Sequence, residues 1–348
     1  MEFFLRNTTM DFKNKTILTG VKPTGTLHIG NYFGAISPMI DLGHQFASQG
    51  KHVMFVADYH AINAIKDPVF LAKTTKEIAC VYLACGLDPS QSIFYKQSDI
   101  PEIFELTTIL MAYTPKGFMN KAHAYKAAVD KNTAKGDPMD AGINMGLYTY
   151  PVLMAADILA YDTDIVPVGK DQVQHVEIAA DIAGAINAVH GKEVLKIPAY
   201  FLREETQTVP GIDGQKMSKS YNNVIPLFGT DAEIKKAVMG IKTDSQDINT
   251  PKNPDDILLY HIAKGVSPKE TLAEIKEGLE KGGMGYGTIK KILLQNIIDE
   301  ISEKREKYNY YLSHYDEVED MLKAGAQKAR SITKPVLERV KDSLFNRK

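Results

Sequence analysis

A glycine-rich loop with one histidine and one asparagine is the first stretch of the sequence that could do chemistry. It reads GVKPTGTLHIGN, from Gly20 to Asn31, and directly follows the apolar run TILT. A helix beginning near Gly30 would present free N–H groups and its positive dipole end to a bound phosphate. The stretch is neither the dinucleotide pattern G-x-G-x-x-G nor a P-loop, because no Lys-Ser/Thr pair follows the last glycine. Alone, it indicates either a phosphate site or a plain turn between a strand and a helix.

A second loop is rich in lysine and serine. It reads GIDGQKMSKSYNN, from Gly211 to Asn223, and places Lys216 and Lys219 three residues apart after a glycine-containing turn. Lysine ammonium groups can reach a triphosphate as point charges, and serine hydroxyls can donate hydrogen bonds to its oxygens. A generic pair of this kind would more often be a solvent-exposed surface loop. The loop therefore indicates a phosphate-binding site only in combination with the first loop.

The elements that must position these loops follow an alternating pattern over about the first two hundred residues. Short apolar runs rich in β-branched and aromatic residues predict buried strands of a parallel sheet. Segments with apolar residues at helical spacing separate them, and strand–helix alternation indicates a doubly wound α/β domain. The predicted strands are Thr16–Thr19, His52–Ala57, Ser92–Lys96 and Asp164–Val168, and the predicted helices are Asn31–Ser48, one beginning at Asp67 with Pro68 in its first position, and Gln172–Val189.

The remainder of the chain shows helical patterns only, from Asp231 to Lys348. We therefore expect two domains, an α/β domain over residues 1–225 and an all-helical domain over residues 226–348. The last stretch, Lys323–Lys348, contains eight lysines or arginines against two acidic residues, Glu338 and Asp342. It could be a solvated helix face or a surface for RNA phosphates.

Composition excludes several classes of protein. The 348 residues carry a net charge of −2, so any binding of nucleic acid must use a local basic patch. The two cysteines, Cys80 and Cys85, are too few for a disulfide framework and lack partners at zinc spacing, which favours a reducing compartment. No apolar run approaches the ~20 residues of a membrane helix, and the N-terminus lacks a cleavage pattern. We expect a cytoplasmic protein that does not contact membranes.

The two loops together resemble the paired signatures of the class I aminoacyl-tRNA synthetases. HIGN, His28–Asn31, stands where that family has His-Ile-Gly-His, and KMSKS, Lys216–Ser220, is an unmodified match about 190 residues later. Gly146–Ala183 is similar to the tryptophanyl-tRNA synthetases over nearly its whole length. Its run YPVLMAADIL is closer to the tryptophanyl than to the tyrosyl pattern. The resemblance extends from about Thr16 to the C-terminus.

This resemblance implies a fold, a reaction and partners. The fold would be a Rossmann-like catalytic domain followed by a helical anticodon-binding domain. The reaction would be ATP-dependent attachment of L-tryptophan to tRNA(Trp) through a tryptophanyl-adenylate, releasing AMP and pyrophosphate. Mg²⁺ would be held mainly by the ATP phosphates, without a dedicated protein metal site. A homodimer with its catalytic domains in contact is also implied.

The resemblance also assigns roles to individual residues. The implied catalytic residues are His28, Asn31, Lys216 and Lys219. The implied ATP-binding residues are Lys22, Pro23, Thr24, Gly30, Asn31, Gly169, Lys170, Asp171, Val209, Lys216, Met217, Ser218, Lys219 and Ser220. The implied tryptophan-binding residues are Asp157, Tyr150, Met154, Gln172 and His60.

Asp157 maps onto the carboxylate that accepts the indole N–H. A buried carboxylate left without its donor costs more than a lost contact, so an amino acid lacking that N–H would be rejected. Met154 lies one turn earlier on the same helix face and would line the indole slot. From periodicity alone, Asp157 could instead cap a helix.

Two features depart from the family pattern. Lys22 stands where the family usually has glutamine before the proline of the first motif. The loop that carries a further ATP-binding lysine in the family is longer here, and Lys121 and Lys126 are both candidates for that role.

Three other functions stay open at this point. A tyrosyl-tRNA synthetase shares the architecture. A small-molecule nucleotidyltransferase uses a similar first loop but would not need a helical domain with a basic end. A non-catalytic RNA-binding paralogue would usually lose the lysine loop, which is intact here.

Overall fold

A parallel five-stranded sheet forms the centre of the α/β part of the protein. The computed structural model describes residues 12–23, 25, 27–202 and 209–347. The strand order is β3-β2-β1-β4-β5, so the chain moves outward from β1 first to one side and then to the other. The strands are β1 Thr16–Val21, β2 Lys51–Val56, β3 Ser92–Lys96, β4 Ile165–Val168 and β5 Ala199–Leu202.

Helices cover both faces of this sheet, and after β5 the chain contains helices and connecting loops but no further strand in residues 209–347. On β2, Met54 and Val56 belong to one apolar core while Val53 and Phe55 belong to the other, as expected for a strand buried on both faces. The helices are α1 Ile29–Asn31, α2 Ser37–Gln49, α3 Asp58–Ala61, α4 Pro68–Ala84, α5 Pro101–Ala112, α6 Lys116–Met119, α7 His123–Lys135, α8 Met145–Leu159, α9 Val173–His190, α10 Asp231–Met239, α11 Leu258–Val266, α12 Lys269–Lys281, α13 Tyr286–Ser313 and α14 Tyr315–Leu344.

The doubly wound α/β fold predicted from the sequence is confirmed, with small differences in its elements. The first predicted helix is three consecutive segments, because a π-helical turn, Tyr32–Ile36, separates α1 from α2. The fifth strand was not predicted. Its sequence, AYFL, is only four residues long and only partly buried, so it carries no alternation by which to recognise it.

The first three strands end at the same level of the sheet. Val21 pairs with Val56, and Val56 with Lys96, so the loops that follow β1, β2 and β3 leave the sheet at one edge. Ligands bind at this edge of open α/β sheets, at the point where the strand order reverses. Here that point lies between β1 and β4.

The long C-terminal helices pack against the α/β domain. Helix α13 lies on α4, and α14 runs along the edge strand β3 and against α5. Gly325 of α14 lies so close to β3 that a Cβ atom there would be 1.8 Å from the carbonyl oxygen of Phe94. The boundary at residue 225/226 stays a prediction, since the cores on both sides of it are shared.

The basic stretch Lys323–Lys348 is partly used for this packing. Arg330 binds Glu102 of α5 at 2.9 Å, Lys341 binds Glu105 at 3.0 Å, and Arg339 forms an ion pair with Asp162. These cations therefore hold α14 to the α/β domain. Lys328 and Lys334 are exposed on the same helix.

No helix in residues 12–23, 25, 27–202 and 209–347 combines the length and apolar character needed to cross a bilayer. In the same ranges, no three or more His, Cys, Asp or Glu side chains gather as they would around a metal ion.

Candidate active site

His28 caps the short helix α1 with its own imidazole. Its Nδ1 accepts a hydrogen bond from the backbone N–H of Asn31 at 3.3 Å, while the Asn31 side-chain oxygen accepts one from the His28 backbone N–H at 3.1 Å. This reciprocal capping box fixes both side chains relative to the start of the helix. In the neutral ring Nε2 then carries the proton, so that His28 can act as a hydrogen-bond donor.

Backbone pairing brings the two signature loops together. The backbone N–H of Ile29 donates to the carbonyl of Ile225 at 3.0 Å, and that of Leu227 donates to the carbonyl of Leu27 at 3.2 Å. The segment that leaves the KMSKS loop is thereby anchored beside HIGN. From the sequence, only the family resemblance suggested that the two loops lie close together. In the structure they are in direct contact.

Gly30 and Met217 form the closest point between these loops. Met217 is buried at 4% exposure, and its sulfur would lie 3.3 Å from a Cβ atom built on Gly30. Glycine therefore allows the lysine loop to seat against the start of α1. Lys219 lies near enough to His28 to lower the pKa of the imidazole, although burial is the larger cause.

Asn223 holds the KMSKS loop in shape. Its side chain, 1% exposed, accepts from the backbone N–H of Ser218 at 2.8 Å and donates to the Lys216 carbonyl at 3.1 Å and to Asp213 at 2.7 Å. Ser218 and Ser220 share a hydrogen bond at 2.8 Å. The lysine side chains at 216 and 219 are left exposed on the surface of this ordered loop.

A cavity of about 520 Å³ opens at the carboxyl edge of the sheet, at the reversal between β1 and β4. Its apolar wall includes Phe55 of β2 and Val168 of β4, and its polar groups converge from α3, α8 and α9. All five residues implied for tryptophan binding line it: His60, Tyr150, Met154, Asp157 and Gln172.

Asp157 lies at the bottom of this cavity with two hydrogen-bonding partners. His60 Nε2 is 2.8 Å from Asp157 Oδ2, and Gln97 Nε2 donates to both carboxylate oxygens, at 2.8 and 2.9 Å. Burial raises the pKa of the Asp157 carboxyl, and the bonds from His60 and Gln97 offset part of that rise. A carboxylate has about four acceptor positions, so one more N–H donor can be bound.

Tyr150 and His175 form a second polar pair in the cavity. The Tyr150 hydroxyl is 2.6 Å from His175 Nε2. Burial lowers the pKa of His175, with smaller contributions from His123 and His60, so the ring is held neutral. In the tautomer of the neutral ring that leaves Nε2 unprotonated, Nε2 accepts a hydrogen bond from the Tyr150 hydroxyl, and the lone pairs of the Tyr150 oxygen can then accept from an ammonium group.

Three of the residues implied for ATP binding, Gly169, Lys170 and Asp171, follow β4 directly. Gly169 lines the cavity, and a Cβ atom there would be 2.8 Å from Asp171 Oδ1. The side chain of Gln172 donates to Asp171 Oδ2 at 2.8 Å, and this hydrogen bond within the turn stabilises it. Lys170 and Asp171 are exposed at the mouth of the cavity.

The remaining implied residues are more scattered. Lys22 lines the cavity, whereas Pro23 is buried beside it, and Thr24 lies outside the described residues. Val209 is 1% exposed and packs on Gly265 in the apolar core, so its implied role in ATP binding stays a prediction. Lys121 and Lys126 are both exposed near the start of α7.

Sequence reasoning missed three residues that build the site. Gln97 follows β3 at the same edge as His60 follows β2, and this strand-end position was the available signal. His175 lies in the first turn of α9, where its spacing suits either core or site. Asn223 is separated from the lysines by other polar residues, and nothing in the sequence distinguishes it from Asn222.

Comparison with known proteins agrees with this geometry. The family model for class I tRNA synthetases of the W and Y type matches residues 11–322. A tryptophan–tRNA ligase from Bordetella parapertussis is 46% identical over 95% of this chain and 73% of its own length. One from Neisseria meningitidis is 44% identical over 95% of this chain and 97% of its own length.

Solved structures give the same assignment. The tryptophanyl-tRNA synthetase from Campylobacter jejuni, in complex with ADP and tryptophan, has a TM-score of 0.83 at 41% identity, covering 95% of this chain and 99% of that one. The enzyme from Mycoplasma pneumoniae has a TM-score of 0.73 at 27% identity, covering 95% and 98%. The chain therefore belongs to the class I tRNA synthetases of the tryptophan and tyrosine type, and its similarity is to the tryptophan members.

Proposed function

We propose that the protein attaches L-tryptophan to tRNA(Trp) in two steps, through a tryptophanyl-adenylate. The observation that carries this proposal is the buried Asp157, held by His60 and Gln97 in a cavity that extends to Gly20 and to Lys22 in the loop that leads to HIGN. Curated relatives named as tryptophan–tRNA ligases and a neighbour bound to ADP and tryptophan support it.

In the first step, a carboxylate oxygen of tryptophan attacks the α-phosphorus of ATP, and the bond to the pyrophosphate oxygen breaks. The protein contributes position and charge, because phosphoryl chemistry needs little covalent help. The protonated Nε2 of His28 and the Asn31 amide bind phosphate oxygens beside the start of α1. Lys216 and Lys219 neutralise charge that develops on the leaving pyrophosphate.

Selection of tryptophan depends on the hydrogen bond that its indole N–H donates at the bottom of the cavity. The indole ring lies along Phe55, Met154 and Val168, and its N–H donates to Asp157. An aromatic amino acid without that N–H leaves the buried carboxylate short of a donor, which disfavours it by about 1–3 kcal/mol or more. Tyr150 accepts from the ammonium group of the bound amino acid, and Gln172 lies at the cavity mouth beside it.

Other partners complete the proposal. Mg²⁺ enters as Mg·ATP, bound by the phosphate oxygens. In the second step the activated carbonyl is transferred to the terminal ribose of the tRNA, which the helical domain positions. The reaction is placed in the cytoplasm, where tRNA is charged.

We propose that the protein is a homodimer and that the groove beside the cavity forms part of its interface. This groove exposes Tyr59, Ile62 and Met111, and it shares Tyr150 and Asn63 with the amino-acid cavity. Exposed apolar groups of this size in one place are typical of an interface. A Met111→Glu variant should be a monomer by light scattering, whereas Val69→Glu, at an exposed position on α4, should leave the dimer intact.

ATP–pyrophosphate exchange with tryptophan and tyrosine, measured side by side, tests the proposed function. We expect exchange with tryptophan and little with tyrosine. Exchange with tyrosine alone would make the protein a tyrosyl enzyme. Exchange that depends on neither amino acid would favour a small-molecule nucleotidyltransferase, and no exchange under any condition would favour an RNA-binding paralogue.

A further inference from the structure

We propose that Asp58 and Ser98 form a clamp that sets the selectivity of the amino-acid cavity from outside it. The clamp joins the loop after β2 to the loop after β3, and these two loops carry His60 and Gln97, the partners of Asp157. This inference rests on the proposed function, since it concerns recognition of the indole N–H.

The clamp consists of hydrogen bonds that converge on one carboxylate. Asp58 Oδ1 accepts from the backbone N–H groups of Tyr59 and Ser98, both at 3.0 Å, and Oδ2 accepts from the Ser98 hydroxyl at 2.5 Å. Asp58 is 9% exposed whereas Ser98 is exposed, so the clamp joins a buried carboxylate to a residue at the protein surface. Hydrogen bonds to a charged acceptor are stronger than those between neutral groups.

The position of the clamp explains why it matters for Asp157. Asp58 lies two residues before His60, and Ser98 directly follows Gln97. The separation of the two loops therefore determines how the imidazole and the amide meet the Asp157 carboxylate. The side-chain hydrogen bonds of Asp58 go to Tyr59 and Ser98 and not to that carboxylate. Its effect passes through the two loops, so Asp58 is a positioning residue.

The electrostatic state of the clamp is consistent with this role. Burial raises the pKa of the Asp58 carboxyl, and the bonds from Ser98 and Tyr59 offset part of the rise. Removing the Ser98 hydroxyl leaves one oxygen of a buried carboxylate without its donor. The two loops are then free to separate or rotate by a fraction of an ångström, which moves His60 and Gln97 relative to the Asp157 carboxylate.

The consequence is a specific loss of discrimination. With a looser clamp, His60 and Gln97 no longer fix the carboxylate in one rotamer, and the remaining acceptor position of Asp157 is no longer aimed at the indole N–H. Tryptophan binds more weakly. An analogue with sulfur in place of the indole N–H, 3-benzothienyl-alanine, loses little because it makes no such bond.

The test is pyrophosphate exchange with both amino acids in the Ser98→Ala variant. We expect the KM for tryptophan to rise roughly tenfold with kcat changed by less than about twofold, and the KM for 3-benzothienyl-alanine to change little. Ser98→Thr, which keeps a hydroxyl, should restore the wild-type KM. Asp58→Asn should act in the same direction as Ser98→Ala.

A matched control is available at the opposite edge of the sheet. Asp164 also holds a loop, by accepting from the backbone N–H of Thr16 at 2.9 Å and pairing with Lys196 at 2.7 Å. Asp164→Asn should lower stability without changing the ratio of the two KM values. A Ser98→Ala variant that behaves like Asp164→Asn, or that weakens both amino acids equally, overturns the proposal. Failure of the wild type to use tryptophan overturns the proposed function instead.

Discussion

Gln97 donates its side-chain amide to both carboxylate oxygens of Asp157, from a position that is completely buried. The amide holds the carboxylate in one orientation and lowers its pKa, against the effect of burial. A donor that bridges two oxygens leaves the outer acceptor position of the carboxylate facing the cavity. This arrangement makes Gln97 as important for the site as the aspartate itself.

Gln97→Met should therefore change the pH dependence of the reaction. Methionine has a similar size but no donor, so the pKa of Asp157 rises and the carboxylate is protonated at a higher pH than in the wild type. In pyrophosphate exchange, kcat/KM for tryptophan should fall by about tenfold at neutral pH. The acidic limb of its pH profile should also move to higher pH.

The matched control is Gln91→Met, at an exposed position before β3 where the side chain donates to Asp88. Its pH profile should coincide with that of the wild type. An unshifted acidic limb in Gln97→Met would show that the amide does not control the charge of Asp157.

The contact between Gly30 and Met217 leads to a second prediction. In Gly30→Ala the new Cβ atom would lie 3.0 Å from His28 Nδ1 and 3.3 Å from the Met217 sulfur, so both must retreat by a few tenths of an ångström. Adenylate formation should slow by about tenfold, because the two halves of the phosphate site separate. Gly34→Ala, where the same atom meets nothing within 4 Å, should leave the rate unchanged. Equal rates in both variants would argue against the contact.

Much of the fold followed from local sequence, and the site followed only in part. The strands β1 to β4 are apolar and long enough to recognise, and Asp67 with Pro68 marks the start of α4. The implied tryptophan-binding residues share one cavity. The strand-end position of Gln97 was a signal for the site, but its partner Asp157 lies 60 residues away in the chain and could not be identified from local sequence. Asn223 bonds residues within its own loop, but nothing in the sequence distinguishes it from Asn222.

The packing of α14 is a further example of what local sequence hides. Its periodic pattern predicts a helix but does not say which surface the apolar stripe covers, and its basic residues look the same whether they bind RNA or pair with acids. The ion pairs of Arg330 with Glu102 and of Arg339 with Asp162 show that these two arginines pair with acidic residues of the same chain.

Exposed and paired cations on α14 should thus behave differently. Changing Lys328 and Lys334 to alanine removes exposed positive charge, so aminoacylation of tRNA should weaken and become less dependent on salt, while pyrophosphate exchange is unchanged. Arg330→Ala leaves Glu102, which is 7% exposed, without its partner and should lower the stability of the whole protein. Loss of exchange in the double lysine variant would mean that these residues support folding.

The close approach of α14 to β3 predicts a position that tolerates no side chain. In Gly325→Ala the added carbon would lie 1.8 Å from the Phe94 carbonyl oxygen, so the helix must move off the strand. Unfolding in urea should show a loss of about 1–3 kcal/mol. Gly184→Ala in α9, where the added carbon meets nothing within 4 Å, should be neutral or slightly stabilising.

A buried histidine at the amino side of the sheet predicts how stability depends on pH. His52 is hydrogen-bonded to Thr19 at 3.1 Å and Ser92 at 2.9 Å, and burial, with His44 as a smaller cause, lowers its pKa to about 4 from its ordinary 6.5. Between these values the unfolded chain binds a proton that the folded protein does not. Stability should therefore fall as the pH drops from 6.5 to 4, by up to about 3 kcal/mol from this residue.

Urea unfolding of the wild type and of His52→Gln at several pH values measures this contribution. Glutamine cannot be protonated in this range and can still hydrogen-bond to Thr19 or Ser92. The variant should be less stable at pH 7, because the fit of the imidazole is lost, yet its stability should decline less on acidification. Parallel declines in the two proteins would mean that other groups, such as carboxylates paired in the folded state, account for the whole acid sensitivity.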